Sequence, residues 1–455
     1  MFNKILVANR SEIAVRVIRA CRELGIKSVA VYSEADRSSR HVALADEAVC
    51  IGPAPSAESY LRVDRILAAA KATGAQAIHP GYGFLSERAH FADACKAAGL
   101  VFIGPPGDAI RSLGDKLSGK AVAEKASVPC VPGMKLSGPV DAAFLKKVEK
   151  VGFPVMVKAS AGGGGKGLRM VREPGALKSE VERASAEAKA AFGDGTVFIE
   201  KFIERPRHVE IQLAADVHGG AVAFVERDCT VQRRHQKLIE ESPSPAVTPD
   251  IRRRMQEAAV RLAKGCGYSN VGTVEFLLDR KGDFYFIEVN TRLQVEHPVT
   301  ETVTGLDLVK AQIQLAAGER LPFTQERVSE IRCHAIEHRI NAEDPSRGFA
   351  PCPGLVEDIV WPGGSGVRVD THLYPGYTVP PTYDSLLAKL IVWNEDRRSA
   401  VARSLRALGE LEVRGIHTTA PFHQKVLRDP RFSSGDFDTS FADQLQKEEA
   451  AAAAK

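Results

Sequence analysis

Residues 288–296 read Glu-Val-Asn-Thr-Arg-Leu-Gln-Val-Glu, and this alternation restricts the backbone more tightly than any other stretch of the chain. In an extended strand, side chains at i, i+2 and i+4 share one face. Glu288, Asn290, Arg292, Gln294 and Glu296 then line one side, while Val289, Leu293 and Val295 face a core. An ordinary half-buried strand has a bland polar face; this one has the inventory of a metal-and-anion site. The preceding segment Gly272–Leu278 is rich in β-branched and aromatic residues, as expected of a strand. Asp279-Arg280-Lys281-Gly282-Asp283 is a turn, and Phe284–Ile287 begins the next strand. A turn centred on Lys281-Gly282 pairs residue 280 with 283 and sets Glu275 across from Glu288. Like charges directly opposite destabilise a strand pair, and a divalent cation between them removes that penalty. Oxygen ligands without Cys or His suit Mg²⁺ or Mn²⁺ rather than zinc. From the hairpin alone, a surface turn with solvated carboxylates is an equal reading.

The first 110 residues alternate short apolar runs with helical periodicity. Lys4–Ala8 reads as a buried parallel strand, Ser11 as the N-cap of a helix ending at Gly25, Ser28–Tyr32 as the next strand, and Ile78-His79 as the end of a third. This is a βαβ pattern and a parallel sheet. The first strand–helix turn is Asn9-Arg10-Ser11-Glu12, without Gly-x-Gly-x-x-Gly, which weighs against a dinucleotide cofactor and a dehydrogenase. A second block follows a Pro/Gly-marked linker. There a strand ending in Lys158 runs into Ala159-Ser160-Ala161-Gly162-Gly163-Gly164-Gly165-Lys166-Gly167. Glycines let backbone N–H groups encircle phosphate oxygens, and lysines add point charge. The alternative is a flexible surface loop. No Ser/Thr follows the lysine to make a Walker A loop. Phe198–Ile203 is the strand expected to close this block.

Composition excludes several classes. The net charge is only +4 over 455 residues and is spread along the chain, so no nucleic-acid partner is expected. No apolar run reaches membrane-spanning length, and the start lacks a secretory or transit character. The eight cysteines form no Cys-x-x-Cys pair, so reduced thiols and a cytoplasmic setting are expected. Cys229, in a charged segment, reads as a bystander. The terminal alanine run reads as a frayed helix or tail.

With these blocks in place the chain resembles an ATP-grasp enzyme, specifically the biotin carboxylase component of biotin-dependent carboxylases. The resemblance runs from Lys4 to about Phe441. Besides the glycine loop and Glu288–Pro298, it rests on Asn9–Ala14, His79–Glu87, Arg207–Glu210, Glu226–Lys237 and Arg339–Asp344. It implies an α/β ATP-grasp fold: a parallel α/β domain over 1–113, a lysine-bearing linker over 114–130, a mobile lid over 131–204, a catalytic core over 205–330, a C-terminal α/β domain over 331–445 and a tail over 446–455. It also implies that ATP phosphorylates bicarbonate to carboxyphosphate, which carboxylates the ureido nitrogen of biotin. Lys116, Lys158, Gly164 and Gly165 would hold phosphates. Glu200, Lys201 and Ile203 would border the adenine, with His208 and His235 completing the nucleotide site. Glu275, Glu288 and Asn290 would bind two Mg²⁺ or Mn²⁺ ions. Lys237, Arg292, Gln294 and the Val295 backbone would hold bicarbonate, Glu296 would deprotonate it, Arg339 would stabilise the enolate-like biotin, and Tyr82 would lie near the biotin ring.

Blander readings stand beside these roles. Arg292 with Glu296 reads also as a structural ion pair, His208 and His235 as structural histidines, and Tyr82 as a locally packed turn residue. The chain departs from the family at Ala161, Lys166 and Thr382. It carries no Ala-Met-Lys-Met biotinylation site; Gly133-Met134-Lys135-Leu136 resembles one but sits in the linker. Either biotin comes from another polypeptide or this chain is a fragment; a separate carrier protein is expected, with a carboxyltransferase as second partner, in a complex such as acetyl-CoA, propionyl-CoA or pyruvate carboxylase. A homodimer through Arg19 and Glu23 is expected. The rival readings are another ATP-grasp carboxylate–amine ligase, which should lack Lys237 and the Arg292–Glu296 set, and a non-catalytic nucleotide sensor, which should have lost Glu275, Glu288 or Glu296.

Overall fold

The N-terminal alternation closes into one parallel sheet. In the computed structural model, which describes residues 1–114, 116–136, 140–159, 168–192 and 195–453, five strands lie in the order β3-β2-β1-β4-β5. They are β1 (Lys4–Val7), β2 (Lys27–Ser33), β3 (Glu47–Gly52), β4 (Ala77–His79) and β5 (Val101–Phe102). Both faces are covered, which is why β1 is continuously apolar. Ile5 and Val7 pack on Ile13 and Val17 of the helix Ser11–Glu23, and Leu6 packs on Ile66 and Phe91 from helices of the opposite face. β3, with mostly exposed or half-buried residues, carries little apolar signal and escaped the sequence reading.

Strand order reverses between β1 and β4, where open α/β sheets form a crevice at the carboxyl ends of their strands. Asn9 follows β1, and its amide donates to the carbonyl oxygens of Pro80 and Tyr82 beyond β4, each at 2.7 Å. Gly81 has φ +62, and a Cβ there would meet Asn9 Nδ2 at 2.8 Å, so glycine allows the two loops to touch. Ser11 is not the expected N-cap. Arg10 occupies that position without a side-chain cap bond, Ser11 has φ 64, and its hydroxyl instead meets His372 Nδ1 at 2.9 Å. A distant buried partner has displaced the local capping bond.

The second block is a four-stranded sheet, β6 (Gly133–Lys135), β7 (Val155–Ala159), β8 (Leu168–Val171) and β9 (Val197–Lys201), in the order β6-β9-β7-β8. β9 is shorter than the expected Phe198–Ile203 strand. The Gly-Met-Lys segment is thus an ordinary strand of this sheet. The glycine loop 160–167, with Gly164 and Gly165, lies outside the described residues.

The largest element is a nine-stranded antiparallel sheet. It contains β10 (Arg207–Ala215), β11 (Ala221–Ala223), β12 (Arg227–Arg233), β13 (Gln236–Ser242), β14 (Asn270–Leu278), β15 (Phe284–Asn290) and β16 (His334–Asn341). The path runs β15-β14-β10-β12-β13-β16 and continues through Leu386–Asn394 and Val367–Thr371, with β11 beside β10. Strands from both sides of residue 330 therefore share one sheet. The helix Pro249–Gly265 covers it through Met255, Ala259 and Leu262. The low-complexity end is helical from Phe441 to Ala453, as alanine's propensity favours. Among the described residues, no helix is long and apolar enough to cross a membrane.

Candidate active site

β14 and β15 form the expected hairpin, and Glu275 stands opposite Glu288. The register arises differently from the one deduced. Leu278 pairs with Phe284, and Asp279 N donates to Asp283 O at 2.9 Å, so the turn spans residues 280–282. A bulge between Phe276 and Glu275 then takes up Ile287 and restores the pairs 275–288, 274–289 and 273–290. Bulges re-aim side chains beside functional sites.

The strand does not run straight to Glu296. It ends at Asn290, and Glu296 (φ −81°, ψ 11°) precedes the helix His297–Thr304, with Pro298 in its first turn. Proline is pre-set for that position, and it fixes the bend. The bend still converges the polar side chains. Arg292 donates to Gln294 Oε1 at 2.9 Å and to Asn290 Oδ1 at 3.1 Å, and Gln294 Nε2 donates to Glu275 Oε1 at 3.1 Å. Leu293 is buried in the core, as alternation required.

Lys237, from β13, links the two halves. Its Nζ donates to Glu210 Oε2 at 2.7 Å, Glu275 Oε1 at 2.9 Å and Glu296 Oε1 at 2.6 Å. Burial works against the ammonium charge, but the surrounding carboxylates Glu210, Glu275 and Glu296 outweigh it and raise its pKa well above the usual value. Burial pushes Glu296 up, yet Lys237, Arg339 and Arg227 hold it well below the ordinary carboxylate range. The same contest, won by Lys237 and His208, lowers Glu275. His208 Nε2 lies 2.9 Å from Glu275 Oε2 without hydrogen-bond alignment. Arg339, on β16, donates from Nε to Glu240 Oε1 at 2.6 Å and from Nη2 to Glu296 Oε2 at 2.9 Å.

These groups border one cleft of about 1100 Å³. Tyr82, Lys158, Lys201, Ile203, His208, His235, Lys237, Glu275, Glu288, Asn290, Arg292, Gln294, Val295 and Arg339 all line it. Glu296 and Glu200 stand just behind the lining. Lys158 and Lys120 clamp Glu200 at 2.6 and 3.0 Å. Burial opposes ionisation there, and the two lysines win and lower the Glu200 pKa. Lys201 donates to the carbonyls of Gly152 and Phe153, so its ammonium is tied to the backbone that precedes β7. Lys116 opens the helix Lys116–Lys125. His235 and Arg234 form the two-residue turn between β12 and β13 with φ 67 and 47. Such turns normally take Asn or Gly, so two large residues are held in a costly conformation at the cleft mouth. Tyr82 packs against the core, and its hydroxyl donates to the buried carboxylate of Glu12.

Glu275, Glu288 and Asn290 offer only hard oxygen donors to the cleft, a set suited to Mg²⁺ or Mn²⁺. Cys229 is fully buried with Sγ 3.9 Å from Glu296 Oε1, and burial pushes its thiol well up, so it stays protonated. Several partners escaped the sequence reading. Glu87 accepts from Arg292 Nε at 2.9 Å; Arg227 and Glu210 form a fully buried pair; Glu240 receives Arg339; Lys389 donates to the Val295 carbonyl at 3.0 Å. A lone charge inside an apolar run, as in Val209-Glu210-Ile211 and Ala388-Lys389-Leu390, was the available signal.

Three family models match this chain: "Biotin carboxylase, N-terminal domain" over residues 1–110, "Carbamoyl-phosphate synthase L chain, ATP binding domain" over 115–324, and "Biotin carboxylase C-terminal domain" over 337–444. A biotin carboxylase of Nostoc sp. is 53% identical over 98% of this chain and 100% of its own length. A biotin carboxylase of Haemophilus influenzae is 53% identical over 96% of this chain and 97% of its own. Among solved structures, the biotin carboxylase domain dimer of the Hydrogenobacter thermophilus 2-oxoglutarate carboxylase, in complex with MgADP, ADP and bicarbonate, is 48% identical. It matches with a TM-score of 0.88 over 98% of both chains.

Proposed function

The chain belongs to the biotin carboxylase family, and from that premise we propose that it is an ATP-dependent biotin carboxylase with an ATP-grasp fold, acting on biotin carried by a partner protein. The observation that carries this reading is the chain Glu275–Lys237–Glu296–Arg339, which joins the hard-oxygen end of the hairpin to a planar guanidinium within one cleft.

Bicarbonate is an oxyanion and a weak nucleophile, so it needs a positive cradle and a base within hydrogen-bond reach. Lys237 and Arg292 supply the charge, with Gln294 and the Val295 backbone beside them. Glu296 is ionised and accepts the proton. Its low pKa is set by Lys237 and Arg339, so redirecting those donors to substrate would raise its basicity when the substrate is present. Arg339 then meets the ureido oxygen as charge develops there, in the planar geometry that arginine suits, with Tyr82 alongside. Lys158, Lys116 and the loop glycines hold phosphates; Glu200, Lys201, Ile203, His208 and His235 border the nucleotide. Mg²⁺ or Mn²⁺ ions held by Glu275, Glu288 and Asn290 would neutralise phosphate charge. A carrier protein, a carboxyltransferase and a second copy through the exposed Arg19 and Glu23 are the partners of this reading.

The test measures ATP hydrolysis with and without bicarbonate and free biotin, in wild type and Glu296→Ala. Bicarbonate-dependent, biotin-stimulated turnover is expected, falling by roughly 10²–10⁴-fold in the variant. Turnover indifferent to bicarbonate would reject the proposal.

A further inference from the structure

Lys389 is a lysine with no exposed surface, in the middle of the strand Leu386–Asn394. A buried ammonium is costly unless it is paired and hydrogen-bonded, so its partners define its purpose. Its Nζ donates to the Val295 carbonyl at 3.0 Å and lies 3.1 Å from Glu12 Oε2. The other oxygen of Glu12 accepts from the Tyr82 hydroxyl. The Lys389 Nζ is also 5.9 Å from the centre of the Tyr82 ring. Across the ladder, Lys389 pairs directly with Arg339. One concealed cation therefore touches the turn between Arg292 and Glu296, reaches Tyr82 through one carboxylate, and stands beside Arg339.

The carboxylates that face Lys389 are Glu12, Asp370 directly across the second ladder, and Glu337. The flanking Ala388, Leu390 and Ile391 are buried and apolar, and a neutral side chain of the same length would continue that pattern. Cys229, Arg227 and Glu210 surround Glu296 from the opposite side and make no hydrogen bond with Lys389 among the described residues. The Val295 carbonyl belongs to the turn that bends after Asn290, where no strand ladder fixes the backbone. A donor from below is what fixes the direction of that peptide.

We propose that Lys389 is a positioning residue that couples the bicarbonate turn at Val295 to the biotin-side loop at Tyr82 through Glu12. This rests on the proposed carboxylase reading and adds to it a physical link between the two substrate ends. Neither Lys389 nor Glu12 is assigned contact with a reacting atom. Small misplacement of binding groups is enough to change rates strongly.

The test is steady-state kinetics of the full chain with free biotin. Lys389→Met keeps length and removes the ammonium. Its KM values for bicarbonate and for biotin are expected to rise together, each about tenfold, with a smaller change in kcat. Tyr82→Phe removes one hydroxyl and cuts the far end of the link. Its bicarbonate KM is expected to rise about threefold, although Tyr82 is on the biotin side, and adding it to Lys389→Met should change bicarbonate KM no further, because coupled residues are non-additive. If Lys389→Met fails to fold, Glu12→Gln with Tyr82→Phe forms the same cycle. Fully additive effects, or a lower melting temperature with unchanged KM values, would assign Lys389 a purely structural role and overturn the inference. A wild-type enzyme whose ATP turnover ignores bicarbonate would instead overturn the reaction assignment.

Discussion

Glu275 and Glu240 are the same side chain in the same antiparallel sheet, both nearly excluded from water, and their pKa values are shifted in opposite directions. Burial pushes both carboxyls up. At Glu275 this is overcome: Lys237, Asn290 and Gln294 donate to one oxygen, and His208 lies 2.9 Å from the other. Among the described residues, at Glu240 only Arg339 donates, the second oxygen has no hydrogen-bond partner, and Glu337 stands directly across the ladder with both oxygens unpartnered. Burial then prevails over Arg339, and Glu240 is raised to about 7. The number of donors facing each carboxylate, rather than depth, decides the outcome. One end of the cleft keeps its carboxylate charged, and at the other the carboxyl beside the arginine takes up a proton more readily.

The largest expected effect breaks the charged half. Glu275→Gln removes one of three carboxylates around Lys237 and, in the proposed reading, one metal-facing oxygen. kcat/KM for MgATP should fall by about 10²-fold or more, with a higher metal concentration needed for half-maximal rate. A loss under threefold would mean that the donors around Glu275 are structural. Arg339→Ala acts at the junction of the two halves. Biotin carboxylation should fall by roughly 10²-fold while part of the bicarbonate-dependent ATP hydrolysis survives. Equal loss of both activities would reject the division of labour. The same variant leaves Glu240, Glu296 and Glu337 without their shared cation, and urea unfolding should show a destabilisation of about 3 kcal/mol.

This contrast also marks what could be read from the chain. Glu275 and Glu288 were legible because period-two alternation on both strands of a hairpin carries polar residues to one face. Their pairing holds although the turn is longer than expected, because the bulge at Ile287 compensates. The bend after Asn290 was legible only as a warning in Pro298. Glu240 and Glu337 were not legible, since a charged residue in a strand normally marks its solvent face. Only the packing of the helix His297–Thr304 against Ala335 and Ile391, elements close in space and distant in sequence, buries that region. Likewise β3 and the Ser11–His372 bond depend on partners that no local pattern announces.

Glu240→Gln sharpens the comparison through pH. A carboxyl raised from 4.5 in the unfolded chain to about 7 in the fold binds more protons when native. Its contribution to stability is therefore complete below pH 4.5 and is lost as pH rises through about 7. Glutamine does not titrate. The stability of wild type minus that of the variant should fall between pH 5 and pH 8 by on the order of 2–3 kcal/mol. The buried histidines His41 and His423, each lowered to about 4 by burial, titrate alike in both proteins and cancel in this difference. The groups acting on Glu240 are Arg339, Glu296 and Lys237, with Glu337 directly across the ladder. If the two acids hold the proton between them, Glu337→Gln should lower the Glu240 transition and shift the slope to more acidic pH. A flat difference in both comparisons would show Glu240 to be ionised like Glu275, and Arg339 alone would then suffice to keep a fully buried carboxylate charged.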